Sequence, residues 1–147
     1  GGRFGGWSLY LKDGKPTYTY NFLGLKRDTI AATTPVPAGK ATIRFEFVYD
    51  GNGLGKGGMG TIFVNSQKVA EGRIEHTQPM IFSADEGADV GEDGETPVAE
   101  DYGISAPYKF TGKIDKVTVD LKEMKAADKA EAVKANAVAV HKKAMSD

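Results

Sequence analysis

Apolar and polar residues alternate in short runs over most of this chain and recur at helical spacing only near its end. Thr17-Tyr18-Thr19-Tyr20-Asn21-Phe22 alternates cleanly and Trp7-Ser8-Leu9-Tyr10-Leu11 less so, with Lys12-Asp13-Gly14-Lys15 between them as a hairpin turn. A third strand is predicted from Leu25 to Ala32, after which Pro35 and Pro37 forbid ladder hydrogen bonds and carry the chain across. Ala41 to Tyr49 is the clearest strand, because Ile43, Phe45, Phe47 and Tyr49 face one way and Arg44 and Glu46 the other. One buried face and one wet face belong to antiparallel sheets. Thr61–Val64 and Lys68–Ile74 flank Asn65-Ser66-Gln67 as a further hairpin, and Lys109–Leu121 returns to strand with Ile114, Val117, Val119 and Leu121 as its apolar residues. Short antiparallel strands at this spacing predict a mostly β fold, a sandwich of the jelly-roll kind, over residues 1–121.

From Lys122 the period changes. Ala126, Ala130, Val133, Ala137, Val140 and Ala144 recur at alternating spacings of four and three, which places them on one face of a helix across 122–147. Glu123, Asp128 and Glu131 precede His141, Lys142 and Lys143, the order that suits the helix macrodipole. An alanine seam buries little, so this helix is expected to lie lightly on a partner surface or to project.

Composition narrows the function classes. The 147 residues carry 19 basic and 20 acidic side chains, a net charge of -1 that gives no field for nucleic acid or an anionic membrane. No apolar run reaches the length of a membrane span, and there is no cysteine for disulfides, thiolate metal sites or thiol nucleophiles. The first residues have no signal-peptide pattern and no initiator Met, so an excised fragment is expected.

Three segments invite chemistry. Gly53-Leu54-Gly55-Lys56-Gly57-Gly58 spells a dinucleotide fingerprint, but a strand follows where a helix must receive the pyrophosphate. A flexible glycine hairpin is the plainer reading, with an anion nest around Lys56 as the functional one. The long polar segment 83–107 holds Asp85, Asp89, Asp93, Glu100 and Asp101, with no Lys or Arg between Ile74 and Tyr108, and many oxygen ligands in one loop suit calcium. Counted from Asp89, an EF-hand pattern finds Asp93, Gly94 and Glu100 in place, but Gly91 replaces a ligand and Pro97 lies inside. A solvated acidic loop facing a partner is the alternative. Trp7, Tyr10, Tyr18 and Tyr20 form either core or a platform for stacking sugar rings. His76 and His141 lie in unrelated contexts, and no nucleophile, base and orienting residue assemble from the sequence.

The segments GGRFGGWSLYLKDGKPTYTYNFLGL, PAGKATIRFEFVYDG, GKGGMGTIFVN, EGRIEHTQPMIFSADEGADVG and FTGKIDKVTVDL together resemble the C-terminal domain of large bacterial arylsulfatases, across nearly the whole chain. The resemblance implies a laminin-G or concanavalin-A-like sandwich that packs on a sulfatase catalytic domain and borders the entrance for a sulfated ester or polysaccharide. It also implies a periplasmic or secreted location. The sulfatase signature, Cys or Ser followed by x-Pro-x-Arg, is absent, as are the Asp, Asn and His of that family's metal site. Formylglycine chemistry with calcium or magnesium would therefore belong to a catalytic domain outside this chain. In that family the domain begins with further strands, so the sandwich is expected to be N-terminally truncated and to have an open edge. The competing expectation is an autonomous, lectin-like carbohydrate-binding module, with or without calcium.

Overall fold

Turn chemistry sets the pairing. Asp13 and Gly14 have φ of 51° and 74°, and Asn65 and Ser66 have φ of 48° and 70°, so both hairpins close with two consecutive left-handed residues. That geometry matches the right-handed twist of the strands it joins. In the computed structural model, which describes residues 1–51, 53–79, 86–123 and 125–146, these turns organise two three-stranded antiparallel sheets. The first contains β1 (Gly6–Lys12), β2 (Lys15–Phe22) and β3 (Lys26–Ala31) in that order. The second contains β4 (Ile43–Tyr49), β5 (Gly58–Val64) and β6 (Gln67–Ile74), again in chain order.

The two sheets pack face to face, β3 against β6 and β2 against β5. Tyr18, Tyr20, Ile30, Ile62 and Ile74 form the buried centre. Two cross-sheet contacts show how it is fitted. Tyr18 of β2 stacks on Phe45 of β4 with ring centroids 3.6 Å apart and planes inclined by 7°. Ile30 of β3 sits over Gly60 and Gly72, which are cross-strand partners on β5 and β6. A Cβ at Gly60 would stand 2.6 Å from the Ile30 Cδ1, and one at Gly72 would stand 2.9 Å from its Cγ1. Glycine in mid-strand here marks a close approach, and the missing side chains form the socket that Ile30 fills. Asp28 of β3 also accepts a hydrogen bond from the Glu75 N–H just past β6, at 2.8 Å.

A third layer covers the other face of the first sheet. Thr17, Thr19 and Asn21 alternate with the core tyrosines and point away from the second sheet, yet all three are buried. Their cover comes from the N-terminal turn at Gly2 and Arg3 and from the segment from Glu86 to Phe110, which includes β7 (Glu92–Asp93) paired with β8 (Tyr108–Lys109). The mostly β, antiparallel fold with a C-terminal helix is therefore present, and the helix, α1, runs from Ala126 to Ser146.

One expectation is corrected. The strand over Lys109–Leu121 is realised only at Tyr108–Lys109; residues 111–123 belong to no sheet and are exposed throughout. Alternation gives this segment the capacity to pair, but no described strand lies beside it to accept its hydrogen bonds. Along α1, Ala126, Ala130, Val133 and Ala137 face solvent, while the buried contact comes from Asp128 in the first turn.

Candidate functional site

The outer face of the first sheet is a polar network that holds the acidic segment. Tyr10 Oη is hydrogen-bonded to Thr19 Oγ1 at 3.1 Å, and Thr19 Oγ1 to Thr29 Oγ1 at 3.0 Å, a chain of hydroxyls crossing all three strands. Asn21, fully buried, donates from Nδ2 to the Gly2 and Arg3 carbonyls at 2.9 and 2.8 Å. Its Oδ1 accepts from the Gly24 N–H at 2.9 Å. One amide thus joins the N-terminal turn to the β2–β3 turn, with both of its polar atoms bonded in a place where an unmet polar atom is costly.

The carboxylates of the acidic segment are engaged one by one. Asp93 accepts at Oδ1 from the Gly94 N–H at 3.0 Å, and at Oδ2 from the Val98 N–H at 3.1 Å and from the Tyr102 hydroxyl. It is the internal organiser of the segment, because Val98, Ala99 and Tyr102 are buried by the turn it stabilises. Tyr102 meets Tyr10 edge to face with centroids 4.5 Å apart, and burial, then the hydrogen bond to Asp93, pushes its phenol above the ordinary range. Glu100 pairs with Arg27 at 3.0 Å, and the Arg27 Nε donates to the Val98 carbonyl at 2.9 Å. Asp101 pairs with Lys12, whose ammonium holds its carboxyl below the usual carboxylate range. Glu92 faces Lys109 at 3.5 Å.

The proposed calcium ligands are thereby placed. Asp93, Glu100 and Asp101 each have a protein partner, Asp89 is exposed, and Asp85 lies outside the described residues. Among the described residues, no three His, Asp or Glu side chains come close enough to hold a metal ion. The segment looked cation-free because its cations, Lys12 and Arg27, come from strands more than seventy positions earlier. Only the pairing of sheets brings them together.

The aromatic residues are divided between two faces. Trp7 opposes Tyr20 across β1 and β2, while Tyr10 opposes Thr17, so Trp7 shares the inner face with Tyr18 and Tyr20 and Tyr10 lies on the outer one. Tyr18 and Tyr20 are buried, and burial pushes both phenols upward. Tyr20 Oη accepts the Gln78 N–H at 2.8 Å. Trp7, 46 % exposed, stacks at 6.1 Å on Tyr18. No common platform joins the four rings.

The glycine loop is tied down, where a flexible hairpin was expected. Tyr49 Oη donates to the Gly53 carbonyl and accepts the Lys56 N–H at 3.0 Å. Asp128 of α1 accepts the Gly53 N–H at 3.2 Å, and the Lys56 carbonyl accepts from Thr77 Oγ1 at 2.7 Å. The amides at 53 and 56 that an anion nest around Lys56 would use are taken by these partners. Sequence reasoning passed over Asn21, Tyr49 and Asp128 as organisers. The available signal was an amide or acid beside a turn or at a helix start, where such side chains bond local backbone.

One part of the sandwich is open. β1 and β4 are the outer strands opposite the β3–β6 contact, and Trp7, Leu9 and Phe47 on their inner faces are exposed. No protein-family model, no curated protein and no solved structure matches this chain.

Proposed function

We propose that this chain is a non-catalytic accessory domain of an arylsulfatase, which packs on a larger catalytic body and acts by placement at the approach of a sulfated ester or polysaccharide. The observation that carries the reading is the open side, where Trp7, Leu9 and Phe47 expose apolar surface between two edge strands. Exposed apolar side chains next to unpaired strand edges favour association with another protein surface. The chemistry supports the same direction. The carboxylates of the acidic segment hold that segment together, and a shallow groove of about 500 Å³ at Val90, Phe110 and Ile114 has only Asp115 and Lys116 as charged lining.

The test is reconstitution. The catalytic domain of a large bacterial arylsulfatase, prepared without its C-terminal domain, is titrated with this chain by calorimetry, and 4-nitrophenyl sulfate turnover is followed. Association, with turnover only when the catalytic domain is present, is the expected result; Trp7→Ser should weaken the association. Turnover by the chain alone, or failure to associate, overturns the reading.

A further inference from the structure

Six tyrosines are spread over the fold, and they differ in what their hydroxyls meet. Tyr10 Oη is bonded to Thr19 Oγ1 at 3.1 Å and Tyr49 Oη donates to the Gly53 carbonyl, so each faces a neutral oxygen. Tyr18 is buried in the centre between the two sheets. Tyr102 stands apart from these. Its O–H donates to Oδ2 of Asp93, a carboxylate, and the same phenol oxygen accepts the Ala99 N–H at 3.4 Å. The side chain is 8 % exposed, so this charge-assisted bond is made away from bulk water. Two further rings lie against it: Tyr10, with centroids 4.5 Å apart, and Tyr108, at 4.8 Å. Both are half-buried, so they connect the enclosed ring with solvent.

Removal of one electron turns a phenol into a very strong acid, and the proton must leave if the radical is to persist. An enclosed phenol can lose it only to a base within hydrogen-bond reach. A neutral hydroxyl or carbonyl is too weak a base to take it, and a phenol cation left in a buried place is costly. Asp93 meets the requirement without adding charge, because its carboxylate becomes a carboxylic acid and the pair goes from one negative charge to none. We propose that Tyr102 is a redox-active tyrosine on which oxidation of this chain by one-electron oxidants settles, with Asp93 as its proton acceptor and Tyr10 or Tyr108 as the conduit from the surface. The oxidant takes an electron from a half-buried ring, whose own proton goes to water. That ring regains its electron from Tyr102 and its proton from water, while the Tyr102 O–H bond breaks and its proton passes to Asp93 Oδ2. The net change is phenol and carboxylate to neutral phenoxyl radical and carboxylic acid, with the oxidant reduced by one electron.

Trp7 is the competitor, because an indole is also readily oxidised and this one is 46 % exposed. It stacks on Tyr18, which in turn stacks on Phe45 in a centre built with Ile30, Ile62 and Ile74, so a hole placed there meets apolar side chains where Tyr102 meets a carboxylate. Burial raises the Tyr102 phenol, so its proton leaves with the electron and not before it. Enclosure also keeps the radicals of two molecules from meeting. The inference goes beyond the accessory-domain reading and stands or falls independently of it.

The full chain is irradiated with tris(bipyridine)ruthenium(II) and an electron-accepting quencher, which generates ruthenium(III) as the one-electron oxidant. The protein radical is followed by transient absorption and electron paramagnetic resonance. A neutral tyrosyl radical should form and outlive that of free tyrosine by about tenfold, and Tyr102→Phe, which keeps the ring and its contacts, should abolish the long-lived signal. Asp93→Asn should lower the radical yield about tenfold, since an amide does not take the proton. In the unaltered chain, where no substitution disturbs the fold, formation should be about twofold slower in deuterium oxide, because an O–H bond breaks in the step. A long-lived radical that survives Tyr102→Phe, a radical with the spectrum of the Trp7 indole, a yield unchanged by Asp93→Asn, or formation indifferent to deuterium overturns the proposal.

Discussion

Ile43–Tyr49 and residues 113–121 carry the same kind of alternating pattern and meet opposite fates. The first is a strand with Phe45 stacked on Tyr18; the second is exposed at every position, with Leu121 almost wholly in water. What separates them is a neighbour. β5 lies beside β4 and brings Ile62 and the Gly60 socket with it, whereas nothing in the described chain lies within pairing distance of the second segment. Alternation is a capacity, and burial of one face becomes stabilising only when another strand satisfies the backbone polar groups.

The comparison is broken most severely at the socket that makes the paired side work. Ile30→Ala should cost about 3 kcal/mol, as expected for a large core residue truncated in a site that cannot collapse. Gly72→Ala should cost about 1–2 kcal/mol by overpacking against the Ile30 Cγ1. The double variant should cost clearly less than the sum, because the smaller residue at 30 vacates the space that the new methyl needs. Urea unfolding of the four proteins checks this, and strict additivity would mean that Ile30 does not occupy the Gly60–Gly72 socket.

Asn21→Leu comes next, at about 2–3 kcal/mol, since it strands the Gly2 and Arg3 carbonyls and the Gly24 N–H in a buried place. Asp93→Ala should cost about 1–2 kcal/mol and act locally. Amide exchange should quicken at Val98 and Ala99, while the amides of β5 remain as slow as before. Uniform quickening would mean that the third layer and the sandwich unfold as one unit.

These effects also show what the sequence could convey. Both two-residue hairpins were legible because Asp-Gly and Asn-Ser tolerate left-handed φ, and the faces of β4 were legible from simple alternation. Gly72 inside a strand-like run was a legible hint of close approach, although its partner Ile30 was not. The acidic segment was misjudged as lacking cations because charge was read along the chain, while Lys12 and Arg27 arrive through the fold. Thr17, Thr19 and Asn21 are buried through the same kind of long-range arrival: their cover comes from the N-terminal turn and from the segment that includes Val98 and Tyr102. Local pattern specifies which face a residue takes, and the layer that covers that face is a long-range property.

Acid sharpens the picture at the third layer. The Asp101 carboxyl is held down by Lys12, and that of Asp50 by Arg73, so each group has a lower folded value than unfolded value. The sign follows: stability from these pairs is fully present above the unfolded carboxylate value, about pH 3.9, and is lost as pH falls through the folded values. Asp101→Asn should therefore flatten the fall in melting temperature below about pH 4 while leaving the neutral-pH value nearly unchanged. A slope identical to that of the parent chain would show the Lys12 pair to be without effect. Both groups are exposed, so the change should be small and should fade in high salt.

The smallest effect bears most directly on the opening contrast. Val119→Thr keeps a β-branched shape and changes one exposed methyl to a hydroxyl, so its stability change should lie within about 0.5 kcal/mol. The same exchange at Val64, a buried end of β5, should be felt clearly, because a hydroxyl placed there needs a hydrogen-bond partner. Amide exchange gives the matching readout without any substitution: in the dilute free chain, residues 111–123 should exchange close to unprotected rates, while those of β5 are slowed to the limit of global unfolding. If instead 111–123 were protected in the dilute chain, the segment would already be paired, Val119→Thr would register, and the distinction between a strand with a neighbour and a strand awaiting one would collapse.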